Sequence, residues 1–195
     1  MSKLLIETRL FEGKVNEDSS GRTIVKGILQ RAGAPNQNER VYPKEILMRE
    51  AKKYETLIKE RRALGELDHP ESSVINLKNV SHNIREIHWE NDDLMGTVEI
   101  LPTPSGNILK ELLKAGILLG ISSRGMGSVE PRSGGGVTVG DDFELIGWDF
   151  VSNPSTHGAF MTPMNESKQN KVNEVCGDYC KAHDLIREII TELSW

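Results

Sequence analysis

Short apolar runs alternating with polar residues on a period near two dominate positions 1 to 163, and they predict strands. The runs are Lys3 to Phe11, Thr23 to Leu29, Val74 to Val80, Ile84 to Trp89, Leu94 to Leu101, Ile117 to Ser123, Gly127 to Glu130, Val137 to Val139 and Phe143 to Val151. In Leu94 to Leu101, for example, Leu94, Gly96, Val98 and Ile100 take one face while Met95, Thr97, Glu99 and Leu101 take the other. The turn Glu90-Asn91-Asp92-Asp93 precedes that run, so a hairpin between 84 and 101 is expected. Two helical patterns interrupt the strands. Pro43 opens the first, to about Lys59, where its missing N–H does no harm. Ser105 can cap the second, with Ile108, Leu109, Leu112 and Leu113 along one face and Gly116 stopping it. Strands exceed helices without regular βαβ alternation. The expected fold class is therefore β-rich α+β, a closed or nearly closed antiparallel β-barrel surrounded by helices.

The pattern changes after Pro163. Asn165 to Asn173 are polar and charged, and then Val172, Val175, Cys176, Tyr179, Leu185, Ile186, Ile189, Ile190 and Leu193 recur at helical spacings. Residues 1–163 are thus expected to form the barrel domain, and 164–195 a linker and C-terminal helix that either docks on the barrel or is a removable tail.

Composition narrows the function classes. A chain of 195 residues makes one domain with a real core. The balance of 24 Lys+Arg against 29 Asp+Glu, a formal charge of -5, comes with no basic block and few aromatics, which argues against direct nucleic-acid binding. Cys176 and Cys180 are the only cysteines, and their i, i+4 spacing suits neither a disulfide framework nor a zinc site, so a reducing compartment is expected. No apolar run approaches the roughly 20 residues of a membrane helix, and Met1 to Glu7 turns acidic too soon for a signal peptide. The chain reads as cytoplasmic.

Two segments carry candidate chemistry. Gly116 to Gly127 delivers Ser122 and Ser123 from an apolar run into backbone flanked by Gly125 and Gly127. A serine hydroxyl becomes a nucleophile when a histidine takes its proton, a third group orients that histidine, and N–H donors meet the oxyanion. Arg124 and Gly125 can supply such backbone donors. Alternation alone does not choose between Ser122 and Ser123. Gly65-Glu66-Leu67-Asp68-His69-Pro70 holds the candidate base, His69, in extended backbone before a proline. His82 and His88 alternate with apolar residues and suit satisfied positions on a sheet surface. Asp149, between Trp148 and Phe150, needs a cation or hydrogen donor if buried, and a catalytic histidine would serve; Glu144 and His157 are rivals for that third role. The histidines and acids match no short metal-ligand motif, and Gly134-Gly135-Gly136 lacks the Lys-Ser/Thr and helix of a phosphate loop. No metal or cofactor is expected.

GELDHP at 65–70, GISSRGMGSV at 120–129 and WDFVSNPS at 148–155, in this order and spacing, resemble the prohead core proteases of T-even-type tailed phages. That family is similar to the wider caudovirus prohead proteases and, by fold, to herpesvirus assemblins. The resemblance covers roughly residues 1 to 163. It implies a serine endopeptidase on a β-barrel, acting inside the phage prohead in the host cytoplasm on scaffold or core proteins and the major capsid protein. It implies His69 as base and Ser123 as nucleophile through the family's Ser-x-Gly, here Ser123-Arg124-Gly125; where many relatives have a glutamate-containing segment this chain has Gly147-Trp148-Asp149, and assemblins use a second histidine, so Asp149 is expected as third member from its own flanks. A homo-oligomer is compatible with the assemblin likeness, since assemblins are dimers. The resemblance also implies a zymogen activated by self-cleavage after glutamate in Leu/Ile-x-Glu-like sites. Glu166 in Met164-Asn165-Glu166 comes close to that form, and Glu188 and Glu192 in the C-terminal helix match it, as does Glu7; Leu64-Gly65-Glu66 also matches, beside His69. The reading from another class is a noncatalytic barrel that binds scaffold or capsid protein through its C-terminal helix.

Overall fold

The structure, a computed structural model, describes residues 3–11, 16–17, 21–68, 70, 72–117, 119–152 and 161–163. The chain divides into two compact units, Met1–Met164 and Asn165–Trp195, and every described residue belongs to the first. The expected C-terminal helix, the linker, His69, His157, Glu166, Glu188 and Glu192 lie outside the described residues.

In chain order the elements are β1 (Lys3–Phe11), β2 (Asn16–Glu17), β3 (Thr23–Arg31), β4 (Arg40–Val41), α1 (Lys44–Lys59), β5 (Leu64–Glu66), β6 (Val80–Glu90), β7 (Asp93–Ile100), α2 (Pro104–Lys114), β8 (Leu119–Gly127), β9 (Val129–Pro131), β10 (Val137–Val139), β11 (Glu144–Val151) and β12 (Met161–Pro163). The expected hairpin is present. β6 and β7 pair antiparallel down to Glu90↔Asp93, and Asn91 takes the positive φ, 55°, that its short polar side chain tolerates.

Both expected helices form. Pro43 is the N-cap of α1, which buries Ile46, Leu47, Ala51 and Tyr54. It also buries Glu50, whose carboxylate is held by Arg49 and Lys53 and accepts from Leu145 N at 3.1 Å. Thr103, rather than the expected Ser105, caps α2: its Oγ1 accepts from Gly106 N at 3.0 Å, with Pro104 in the first turn. Gly116 follows the C-cap at φ 77° and ends the helix as expected.

The β-rich class stands, but among the described residues no closed barrel forms. The strands make three sheets, ordered β1-β8-β11, β4-β10-β9 and β12-β3-β7-β6-β5, with β2 against β3. The ladder does not run around because, among the described residues, the bridge from the β5 side to β11 is one parallel pair, Leu67↔Phe150, and because β4 joins β10 in parallel. The expected strand Val74 to Val80 is also absent up to residue 79. Side chains capture the backbone there: Val74 N donates to Ser72 Oγ and Lys78 N to Asn76 Oδ1, which favours turns over a ladder. The run expected from Ile117 to Ser123 forms strand from Leu119 and extends through the glycines as β8, ending at Gly127.

The main core packs Leu109 and Leu113 of α2 and Tyr54 of α1 with Ile84 and Val98 of the hairpin, Val25 and Leu29 of β3, Ile121 of β8, and Trp148 and Phe150 of β11. A smaller cluster joins Tyr42, Ile46, Leu47, Val139 and Phe143. α2 sits so close to the hairpin that a Cβ on Gly106 would lie 1.9 Å from Leu101 O and 2.7 Å from Ser81 O. Both neighbours are backbone, so no rotamer relieves the clash. Gly106→Ala is therefore expected to lower stability by about 2 kcal/mol or more, against a helix-propensity gain of about 1 kcal/mol, read as a lower urea midpoint. An unchanged or higher midpoint would contradict this packing.

Candidate active site

β8 is the middle strand of its sheet. Ser123 pairs with Glu7 of β1 and Trp148 of β11, and Ser122 with Thr8 and Asp149. Residues 121 to 125 are all buried, so this strand is covered on both faces. Alternation now separates the serines. Ile121 and Ser123 share a face with Trp148 and Phe150, while Ser122 and Arg124 share the opposite face with Asp149. Ser123 is 1% exposed and its Oγ has no hydrogen-bond partner among the described residues.

The glycines after the serines act by size, not by φ. Gly125 and Gly127 are not among the positive-φ residues, but a Cβ on Gly125 would come within 2.4 Å of the Phe143 ring, and one on Gly127 within 3.0 Å of Phe143 Cα. Phe143 needs that gap to pack against β8. The register of β11 slips between Leu145 and Gly147, opposite Arg124 and Gly125. This bulge interrupts the regular ladder beside the two expected oxyanion donors.

Arg124 is the charged centre. Its side chain is 0% exposed, as are those of Glu66 and Asp149. Nη2 donates to Glu66 Oε1 at 3.0 Å and to Asp149 Oδ1 at 3.1 Å, Nε lies 2.9 Å from Asp149 Oδ2, and Nη1 donates to Ser72 O at 2.7 Å. Backbone donors supplement it: Glu66 N bonds to Asp149 Oδ1 and Asn76 N to Glu66 Oε1. Asp149 thus receives the cation that its apolar flanks demanded, and Arg124 supplies it. Tyr54 lies close by, its hydroxyl without a hydrogen-bond partner among the described residues; burial, reinforced by the Asp149 carboxylate, pushes its phenol well above the usual range.

β5 leads from this cluster toward residue 69. Gly65 lies against His82, where a Cβ would meet Trp148 O at 2.1 Å and the His82 ring at 2.2 Å. Leu67 N donates to Asn79 O, and Asp68 N to Phe150 O at 2.7 Å. Asp68 is held at φ 69°, in the left-handed region that a non-glycine residue seldom occupies.

A model of the family described as prohead core protein serine protease matches residues 2–170. The chain belongs to that family. It is 33% identical over 143 residues to the prohead core protein protease of Enterobacteria phage T4, covering 71% of this chain and 68% of the phage T4 protein. Its fold is similar to the solved structure of the bacteriophage T4 capsid assembly protease, with a TM-score of 0.74, 29% identity, and coverage of 78% of this chain and 99% of that one. This chain is accordingly a protease of phage head maturation.

The structure places Ser123, Arg124 and Gly125 on β8 beside Asp149 on β11, with Arg124 and Asp149 in contact and Ser123 on the opposite face from Asp149. Glu144 begins β11 exposed, away from the buried cluster. Glu66 is the residue whose part was missed: its sequence signals were ligand type and cleavage motif, yet it is a buried partner of Arg124. The signal that could have found the pair is an arginine inside the apolar run Ile117 to Met126. His88 is an exposed strand residue 3.0 Å from Glu90, as expected. His82, expected on a sheet surface, is fully buried because β5, β11 and Phe150 cover it. Trp148 O can only accept, so His82 Nε2 carries the proton, and Nδ1 accepts from Ser81 Oγ at 2.9 Å.

Burial lowers the His82 pKa from 6.5 to about 4, outweighing the nearby Asp149 charge and the bond to Trp148 O, which raise it. Between those values the unfolded chain holds the extra proton, so stability is full above about pH 6.5 and falls as pH drops toward 4, by about 3 kcal/mol. His82→Gln is expected to flatten that part of the pH–stability curve in urea melts. An unaltered slope would contradict the assignment.

Proposed function

We propose that this chain is a serine endopeptidase in which Ser123 is the nucleophile, His69 the general base and Asp149 the acid that orients the histidine. One observation carries the reading: Asp68, immediately before the candidate base, hydrogen-bonds Phe150 O, immediately after Asp149, on the strand that pairs with β8. Nucleophile strand, acid strand and histidine segment are thus consecutive, and two strand spacings amount to about 10 Å. The buried Oγ of Ser123, without a hydrogen-bond partner among the described residues, supports it as the hydroxyl left for a base, since buried polar groups are otherwise satisfied. Arg124 and Gly125 N–H, opposite the bulge, are the proposed oxyanion donors.

The reaction follows ordinary acyl transfer. His69 takes the Ser123 proton as Oγ attacks the scissile carbonyl, then returns it to the leaving amine; water repeats the sequence on the acyl-enzyme. The substrates are phage scaffold and core proteins and the capsid protein, cut after glutamate in Leu/Ile-x-Glu-like sites. The 1% exposure of Ser123 supports synthesis as a zymogen that must open before a peptide reaches it. Activation by self-cleavage after Glu166 would remove the C-terminal segment, and cleavage after Glu188 or Glu192 would trim its end. Family membership favours this reading over a noncatalytic binding barrel. A second reading, with Ser122 as nucleophile, is favoured by the face it shares with Asp149.

Ser123→Ala is expected to abolish cleavage of a glutamate-ended peptide with circular dichroism unchanged, while Ser122→Ala retains turnover. His69→Ala should lose as much as Ser123→Ala, and the double variant no more. The opposite ranking of the two serines would move the nucleophile to Ser122. Mass spectrometry of active enzyme should find a C-terminus at Glu166, Glu188 or Glu192; an intact C-terminus would rule out activation by removal of the tail.

A further inference from the structure

Arg124 grips both flanks of position 69. Three residues upstream it donates to Glu66 Oε1, and three residues downstream it donates to Ser72 O. Glu66 Oε1 also accepts from Asn76 N, so one guanidinium–carboxylate pair closes the segment 66–76 at two points. The downstream part has little apolar anchorage of its own. Ser72 and Ser73 are exposed, Val74 is 71% and Leu77 73% exposed, and the Ser72–Val74 and Asn76–Lys78 hydrogen bonds there are local. What ties it to β8 and β11 is polar and converges on Arg124.

The chemistry of the side chain fits this work. The contacts spread across Nε, Nη1 and Nη2 in a planar fork, a geometry the point charge of lysine does not reproduce. Arg124 also follows Ser123 directly in a strand bound on both sides. A fully buried guanidinium already facing two carboxylates and a carbonyl is poorly suited to receive a substrate glutamate.

We propose that Arg124 is a positioning residue for proteolysis: its side chain clamps the segment 66–76 to β8 and so sets where the base stands relative to the serine. The proposal rests on the reading of His69 and Ser123 as base and nucleophile. The Arg124 side chain acts through those residues and does not touch substrate, whereas its backbone N–H keeps the oxyanion role proposed above.

The test uses full-length chain in two backgrounds. In inactive Ser123→Ala protein, Arg124→Lys is expected to speed hydrogen exchange of amides 66–79 about tenfold or more while amides of the 80–100 hairpin keep their rates. In the active background it should lower kcat about tenfold or more with KM within about twofold. Arg124→Gln/Glu66→Gln, which keeps the formal charge of the cluster while removing the ion pair, should do the same and serves if Arg124→Lys fails to fold. Unchanged exchange at 66–79 overturns the clamp, and a raised KM with unchanged kcat overturns it in favour of substrate binding. If Ser123→Ala still cleaves peptide, the nucleophile reading fails, but the exchange measurement continues to decide whether Arg124 holds the segment.

Discussion

The structure around the site depends on burying one guanidinium between two carboxylates. Glu66, Arg124 and Asp149 come from β5, β8 and β11, and none is exposed. Removing such charges from water costs several kcal/mol per ion, which is recovered only where geometry is good and further donors fill the remaining lone pairs. Here the backbone N–H groups of Glu66 and Asn76 add donors to Asp149 Oδ1 and Glu66 Oε1. The arrangement tolerates little displacement, because loss of Arg124 would leave two buried carboxylates uncompensated. That intolerance makes it a gauge: the strand of the candidate nucleophile and the segment leading to the candidate base are held at one spacing.

The neighbouring packing serves the same end. Gly65 lets His82 and Trp148 O come against β5, and Gly125 lets Phe143 close over β8. A neutral His82 bridging Ser81 and Trp148 O ties β6 to β11 without adding another charge to the cluster. Asp68 accepts an unusual φ where the segment turns away from Phe150 O. These devices are local and small, and together they bring the three candidate segments side by side.

Much of this was legible in the chain. Alternation located most strands, the hairpin turn and both helices, since these depend on local periodicity and turn chemistry. Asp149 between Trp148 and Phe150 announced a buried carboxylate in need of a partner, which is a physical requirement and not a pattern match. The identity of the partner was less legible, because Arg124 lies 25 residues away in sequence and meets Asp149 only through strand register. β5 escaped notice because three residues show no period, and the Val74 to Val80 run misled because Ser72 and Asn76 turn the backbone aside. Sheet closure was overestimated for a similar reason: it depends on long-range edges that alternation does not encode. The split between Ser122 and Ser123 likewise emerges only once β11 fixes the two faces of β8.

The central claim is that Ser123, activated by His69, is the nucleophile. Its most direct test is labelling of active enzyme with a peptidyl phosphonate ester bearing a glutamate side chain, followed by peptide mapping in a mass spectrometer. The account predicts one phosphonyl adduct, on Ser123, which His69→Ala abolishes. An adduct on Ser122, or labelling of Ser123 that does not depend on His69, would contradict it.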